Sequence, residues 1–297
     1  MAGKVINLFL MDSEPNGRIK CTLANWTGIA YKIPRTMLER ARSITYLQQT
    51  EVYLLFGTAD ESGNPVVYIG QAGVRKNGQG ILNRWQEHNR DNTKYWWTEA
   101  VALTTSNDSF GPTEISYLEN RFRNMAVAAD RYEVMNGNEP TQGNLTEEKE
   151  SEMEEFISYA KLVVGALGYK VFEPLVARQN TVETAVQKDP EPLLYFHSAR
   201  ANATGQRTAE GFVVLAGSVI SSTTNKSMKS SDRALRQKYA DIISPDWVLK
   251  KDVLFSSPSA AAGFVGGASL SGNAIWKTEE GVSLGNLITD TSSMAEQ

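Results

Sequence analysis

The spacing of hydrophobic residues along the chain predicts a mixture of short strands and amphipathic helices. In the N-terminal half, short apolar runs and two-residue alternation predict strands at 4–11, 18–23, 30–33, 51–56, 66–70 and 97–104. Apolar positions three and four residues apart, with helix start and stop residues, predict helices at 34–43, 81–89, 113–129 and 146–167. In the C-terminal half, the same criteria predict strands at 193–197, 211–220 and near 253, and helices at 231–243 and after Ser257.

A polar, proline-bearing stretch over residues 176–192 predicts a linker between two domains. The preceding chain is interpreted as a basic β-rich arm over 1–45 and a first domain over 46–175 that ends in a long helix. Residues 193–297 would form an accessory domain. The expected fold class is therefore α/β (α+β): a small antiparallel sheet flanked by helices, and a separate C-terminal α+β domain.

Composition is that of an ordinary globular protein, with 41% hydrophobic and 22% charged residues. The net charge of −4 argues against a surface that is basic throughout, although residues 1–45 carry seven Lys and Arg against three Asp and Glu. Apolar stretches are too short to cross a membrane, and the N-terminus reads as a strand rather than a signal peptide. The single cysteine, Cys21, leaves no intramolecular disulfide, so we expect a cytoplasmic protein.

The candidate chemistry lies in an ordered set of polar and aromatic residues along the predicted strands and helices. Two successive strands carry Glu51-Val52-Tyr53 and Tyr68-Ile69-Gly70, and the elements that follow carry Arg84, His88, Glu119 and Asn136. This order resembles the GIY-YIG endonuclease family over about residues 50–140. The second half of the family motif is present literally, whereas the first half retains only the tyrosine and an aliphatic residue.

The resemblance implies hydrolysis of phosphodiester bonds in nucleic acid, with DNA favoured over RNA, at a site that uses one Mg²⁺ (or Mn²⁺). Glu119 would hold the metal, which needs few protein carboxylates because it keeps most of its water. Arg84 would clamp a phosphate oxygen with its planar guanidinium. Tyr53 would act on the attacking water with His88 as its assistant, since an ordinary tyrosine pKa of about 10 is too high for an unaided base. Tyr68 would position water or phosphate, and Asn136 would orient the region of Glu119.

Two other interpretations stay open. The tyrosines could be ordinary half-buried strand aromatics, with Arg84 and Glu119 on solvated helix faces, in a structural protein. Alternatively, the chain could be a nucleic-acid-binding or assembly module whose catalytic site is idle, and metal-dependent cleavage distinguishes that case from a nuclease. Because one such site cuts one strand, cleavage of both strands would require a homo-oligomer or successive nicks.

The C-terminal half resembles an uncharacterised domain often found after GIY-YIG nucleases. The resemblance covers about residues 208–288 and rests on Phe255-Ser-Ser-Pro-Ser-Ala-Ala-Ala262 and Asn273-Ala-Ile-Trp-Lys277. A basic segment in this half predicts contacts with nucleic-acid phosphates, although a solvated amphipathic helix explains it equally well. Its members are Lys226, Lys229, Arg233, Arg236 and Lys238.

Overall fold

The computed structural model describes residues 3–73, 81–90, 96–176 and 191–294 of the chain. The chain divides into two compact units, Met1–Pro174 and Leu175–Gln297. The division falls at the start of the predicted linker, most of which, residues 177–190, lies outside the described residues. Each unit has its own sheet and its own hydrophobic core, which confirms the predicted α+β class.

Among the described residues, the N-terminal unit is built on a seven-stranded sheet with the order β1-β2-β3-β6-β4-β5-β7. The strands are β1 (Ile6–Leu10), β2 (Ile19–Leu23), β3 (Gly28–Pro34), β4 (Glu51–Thr58), β5 (Pro65–Ala72), β6 (Trp97–Thr105) and β7 (Glu133–Val134). Pairing is antiparallel except between β5 and β7. The segment 1–45, expected to be a separate arm, is instead part of this sheet, because β3 pairs along its whole length with β6.

The helices of this unit are α1 (Ile81–Arg90), α2 (Pro112–Ala129) and α3 (Glu147–Ala166). The single helix predicted over 34–43 is wrong: the chain there forms two short 3₁₀ segments, Arg35–Met37 and Glu39–Ser43, and a third, Thr45–Gln48, follows them. Its buried residues are Leu38, Ala41, Ile44 and Leu47. This spacing of three matches the three residues per turn of a 3₁₀-helix and does not follow the α-helical pattern.

The sheet carries a hydrophobic core on each face because successive strand side chains point to opposite sides. On one face, Val52 and Leu54 of β4 pack with residues of α2 and α3. On the other, Tyr53 and Leu55 pack with residues of α1 and the 3₁₀ segments. Helices α1 and α2 therefore cover opposite faces of the same pair of strands, β4 and β5.

The C-terminal unit has a four-stranded antiparallel sheet with the order β11-β10-β9-β8 in the described residues. Its strands are β8 (Leu194–His197), β9 (Asn202–Thr208), β10 (Gly211–Val214) and β11 (Val253–Phe255). Its helices are α4 (Ser230–Lys238), α5 (Pro258–Gly266), α6 (Gly272–Ile275) and α7 (Leu284–Met294).

Two predictions for this unit are corrected and one is confirmed in detail. The strand expected over 211–220 ends at Val214, and the helix expected over 231–243 ends at Lys238. Helix α5 begins as predicted: the Ser257 hydroxyl accepts a hydrogen bond from the Ala260 amide at 3.2 Å. It ends at Gly266 and is capped by Gly267, whose φ of 69° favours glycine. In the part of the chain that the structure describes, no helix combines the length and the apolar character needed to cross a bilayer.

Candidate active site

Tyr53 and Tyr68 lie side by side on the face of the sheet that α1 covers. In the antiparallel register of β4 and β5, Tyr53 is opposite Gly70 and Tyr68 is opposite Leu55. The two tyrosines are thus diagonal neighbours on one face, and their ring centroids are 6.2 Å apart. Tyr53 is fully buried, whereas Tyr68 is partly exposed.

Gly70 provides the space that the Tyr53 ring occupies. A Cβ atom at residue 70 would lie 2.5 Å from both Cζ and Oη of Tyr53 and 2.9 Å from Cε1 of Tyr68. Real Cβ contacts are not that short, so any side chain here would displace the tyrosine hydroxyl. The glycine is therefore required by close approach of a side chain rather than by backbone conformation.

Helix α1 supplies His88 and Arg84, which lie one helical turn apart. The Tyr53 hydroxyl and His88 Nε2 are 2.8 Å apart, a hydrogen bond in which the donor depends on the histidine tautomer. His88 is buried, and its ring is also packed edge-on against Tyr68, with centroids 5.2 Å apart. Arg84 is partly exposed and pairs through Nη1 with Glu87 Oε2 at 2.8 Å.

The electrostatics of the site centre on the Tyr53 hydroxyl. Burial raises the pKa of Tyr53 well above its usual range, and the neighbouring Tyr68 adds to this increase. Arg84 opposes it through its positive charge and a hydrogen bond with the Tyr53 hydroxyl. Tyr53 is therefore a neutral phenol, and it can take up a proton from a reacting group only if it passes its own proton on.

Glu119 reaches the same strand pair from α2, on the opposite face of the sheet. Gln71 of β5 donates from Nε2 to Glu119 Oε2 at 2.9 Å and also contacts the Ser116 hydroxyl at 3.3 Å. Burial raises the pKa of the Glu119 carboxyl, while the hydrogen bond from Gln71 and the charge of Arg84 lower it. The influence of Arg84 on both Glu119 and Tyr53 links the two faces at the end of β5 where Tyr-Ile-Gly lies.

Gln71 is a site residue that sequence reasoning missed. A polar residue near the end of a predicted strand is ordinarily assigned to solvent. The alternation of side chains along the strand could have identified it. Val67, Ile69 and Gln71 share the face that α2 covers, so Gln71 projects toward the helix that carries Glu119.

Asn136 acts on the strand rather than on Glu119. Its amide oxygen accepts from the Ile69 backbone N–H at 3.1 Å, and its Nδ2 donates to the Ile69 carbonyl at 2.7 Å. Strand β7 pairs with Val66 and Val67, and Asn136 continues this pairing along the edge of β5. The side chain thereby fixes the backbone at the centre of Tyr68-Ile69-Gly70.

The donor set fits a hydrated divalent cation held by one carboxylate. Among the described residues, no group of three or more His, Cys, Asp and Glu side chains is placed to hold a metal ion. A protein-only cage is thus not formed there, and Glu119 would bind the ion with water completing its shell, as Mg²⁺ permits. A cation would also offset the burial that raises the pKa of this carboxyl.

The five basic residues of the predicted phosphate-binding segment do not all face solvent. Lys226, Lys229, Arg233 and Lys238 are exposed. Arg236 instead donates to the backbone carbonyls of Ser221, Phe264 and Val265, at distances of 2.5 to 3.1 Å. This guanidinium ties α4 to the end of α5, and we remove it from the set proposed to contact phosphates.

In the comparison with known proteins, a family model matches the C-terminal unit. Residues 194–288 match the model of a domain of unknown function, DUF4357, which agrees with the resemblance noted over 208–288. No GIY-YIG family model matches the chain. No curated protein and no solved structure matches it either.

Proposed function

We propose that the N-terminal unit is a GIY-YIG-type endonuclease that hydrolyses phosphodiester bonds in nucleic acid, DNA in preference to RNA. The observation that supports it most is the contact between Tyr53 and His88, residues 35 positions apart, beside Arg84 and within the electrostatic reach of Glu119. A structural protein would need no such pairing of a buried phenol, an imidazole and a guanidinium within electrostatic reach of a carboxylate.

Arg84 and Tyr68 are the groups that would meet the scissile phosphate. The guanidinium of Arg84 is partly exposed, so it can clamp a non-bridging oxygen with two parallel N–H donors. The Tyr68 hydroxyl, also partly exposed, can hydrogen-bond the attacking water. Glu119 would hold a Mg²⁺ or Mn²⁺ ion, which when bound supplies charge neutralisation at phosphorus.

Tyr53 and His88 would remove the proton of the attacking water together. The Tyr53 oxygen accepts that proton while its own proton passes to His88 Nε2, so the phenol is neutral before and after the step. The raised pKa of Tyr53 is compatible with this relay because no free phenolate is required. His88 must carry its resting proton on Nδ1 for Nε2 to accept.

A nicking assay on supercoiled plasmid tests the proposal, with Mg²⁺ or Mn²⁺ compared against a chelator. We expect Glu119→Gln to lower the nicking rate by roughly a hundredfold or more, because the metal loses the carboxylate proposed to hold it. Glu61→Gln, which changes an exposed carboxylate in the β4–β5 loop, is the matched control and should retain the wild-type rate.

The outcomes separate the proposal from its main alternative. Binding of nucleic acid by the wild type without metal-dependent cleavage would identify a catalytically idle binding or assembly module. Equal nicking by wild type and Glu119→Gln would remove Glu119 from the reaction. Nicks on single strands followed slowly by linear product would indicate independent cuts, whereas immediate linear product would indicate paired protomers.

A further inference from the structure

The C-terminal unit contains a polar cleft that neither the family match nor the proposed nuclease site explains. It has a volume of 450 Å³ and lies where three segments meet. These segments are the turn between β8 and β9, the chain before α4, and the end of α5 at Gly266-Gly267. A cleft of this size is large enough for a nucleotide and too large for a phosphate ion alone.

The lining of the cleft is rich in hydrogen-bond donors. Thr223 and Thr224 contribute hydroxyls, Asn225 an amide and Arg200 a guanidinium. The hydroxyls of Ser198 and Ser221 donate instead to the carbonyls of Ala201 and Thr223. Arg200 is exposed, and its Nη1 donates to the Thr223 hydroxyl at 3.0 Å, which holds the guanidinium on the wall. No acidic residue is among the lining residues.

Two further arginines add positive charge around the same cleft. Arg233 donates to the Thr224 hydroxyl and to the Asn225 carbonyl, at 3.3 and 2.7 Å. Arg236 lies behind the wall, bound to the Ser221 carbonyl and close to Gly267. The one carboxylate nearby on α4, Asp232, is buried against Gly263.

We propose that this cleft binds a nucleotide unit of a nucleic-acid strand, with Arg200 and the Thr223 and Thr224 hydroxyls on its phosphate. The inference rests on the proposed nuclease function and gives the C-terminal unit the task of holding the substrate strand. A guanidinium flanked by hydroxyls is the donor set that phosphate oxygens take, and the arginines together attract a polyanion. The volume beyond the phosphate accommodates the sugar and base.

The test measures binding of a fluorescent oligonucleotide to the full chain carrying Glu119→Gln, so that cleavage does not intervene. Arg200→Ala should weaken binding roughly tenfold and lower the slope of log affinity against log salt by about one unit. Arg200→Lys should recover the salt slope but only part of the affinity, because it keeps the charge without the planar fork. Arg207→Ala is the matched control, since Arg207 of β9 pairs with Glu191 and does not line the cleft.

The other outcomes distinguish a failure of the cleft proposal from a failure of the nuclease proposal. Unchanged affinity and salt slope in a folded Arg200→Ala protein would overturn the proposal, and Thr223→Val, which removes the hydroxyl with little change of shape, should then also have no effect. Loss of binding to a mononucleotide without loss of oligonucleotide binding would assign the cleft to a free nucleotide and overturn the strand assignment. If the wild type fails to nick DNA while Arg200→Ala still weakens oligonucleotide binding, the nuclease proposal fails and the cleft assignment holds.

Discussion

Glu51 allows a direct test of how burial of a carboxyl group beside the proposed site makes the stability of the protein depend on pH. The residue begins β4 opposite Ala72 and, by alternation, shares a face with Tyr53. Its side chain is 0% exposed, and neither carboxylate oxygen has a hydrogen-bond partner among the described residues. Burial therefore raises the pKa of Glu51 well above its usual range, so the carboxyl folds in its neutral, protonated form.

The linkage between this pKa and stability has a definite sign. Below the unfolded pKa of about 4.5, Glu51 is protonated in both states and its contribution is fully present. As the pH rises above that value, the unfolded chain releases the proton and the folded chain retains it, so stability falls until the folded pKa is passed. Each pH unit between the unfolded and the folded pKa costs at most about 1.4 kcal/mol, which is a noticeable share of a typical folding free energy.

Urea denaturation of the wild type and of Glu51→Gln from pH 4 to pH 8, followed by tryptophan fluorescence, measures this effect. Glutamine keeps the size of the side chain and cannot ionise. We expect the free energy of unfolding of Glu51→Gln minus that of the wild type to rise with pH above about pH 4.5, by up to about 1.4 kcal/mol per pH unit, until the folded-state pKa of Glu51 is reached. Glu61→Gln, at an exposed position, should show no such slope. A difference for Glu51→Gln that does not vary with pH would refute the reasoning.

Two further predictions concern residues whose roles the structure revises. Gln71→Leu removes the hydrogen bond that lowers the pKa of Glu119, so the acid limb of the pH–rate profile for plasmid nicking should move to higher pH, while Ser116→Ala should leave it nearly in place. Arg236→Met removes the guanidinium that donates to the carbonyls of Phe264 and Val265, and it should lower the free energy of unfolding of the C-terminal unit by about 1–3 kcal/mol. Because methionine also removes the charge, an unchanged salt dependence of nucleic-acid binding in this variant would confirm that Arg236 does not contact phosphate, and a reduced slope would return it to the phosphate-contacting set.

Sequence reasoning predicted those features of the fold that depend on strong local patterns. Strands β4, β5 and β6 and helices α2 and α3 were predicted within a few residues, because their apolar runs or helical spacing are continuous. Strand β9 was missed because its sequence, NATGQRT, is polar and only alternate residues such as Ala203 are buried. Its identity as a strand comes from pairing with β8 and β10, which no local pattern contains.

The candidate site shows the same limit. The residues named from the sequence lie on both faces of β4 and β5, and the order of elements was enough to propose that they converge. Spacing along the chain could not predict which partner each side chain contacts. Asn136 binds the backbone of Ile69, and Gln71 binds Glu119, although neither contact follows from distance along the chain. Arg236 has the same spacing as its basic neighbours, but only the packed structure shows that its guanidinium meets backbone carbonyls.

The difference in exposure among the site residues bears on how the reaction would be controlled. Tyr53 and His88 are buried, whereas Tyr68, Arg84 and Glu119 are partly exposed. A phosphate approaching from solvent would meet the exposed groups first, and Tyr68 among them is in ring contact with both buried residues. Gly70 leaves room for the Tyr53 hydroxyl beside Tyr68, because any larger residue would occupy its position. In the proposed reaction, a phosphate bound by the exposed groups would position the attacking water for proton transfer to the buried pair.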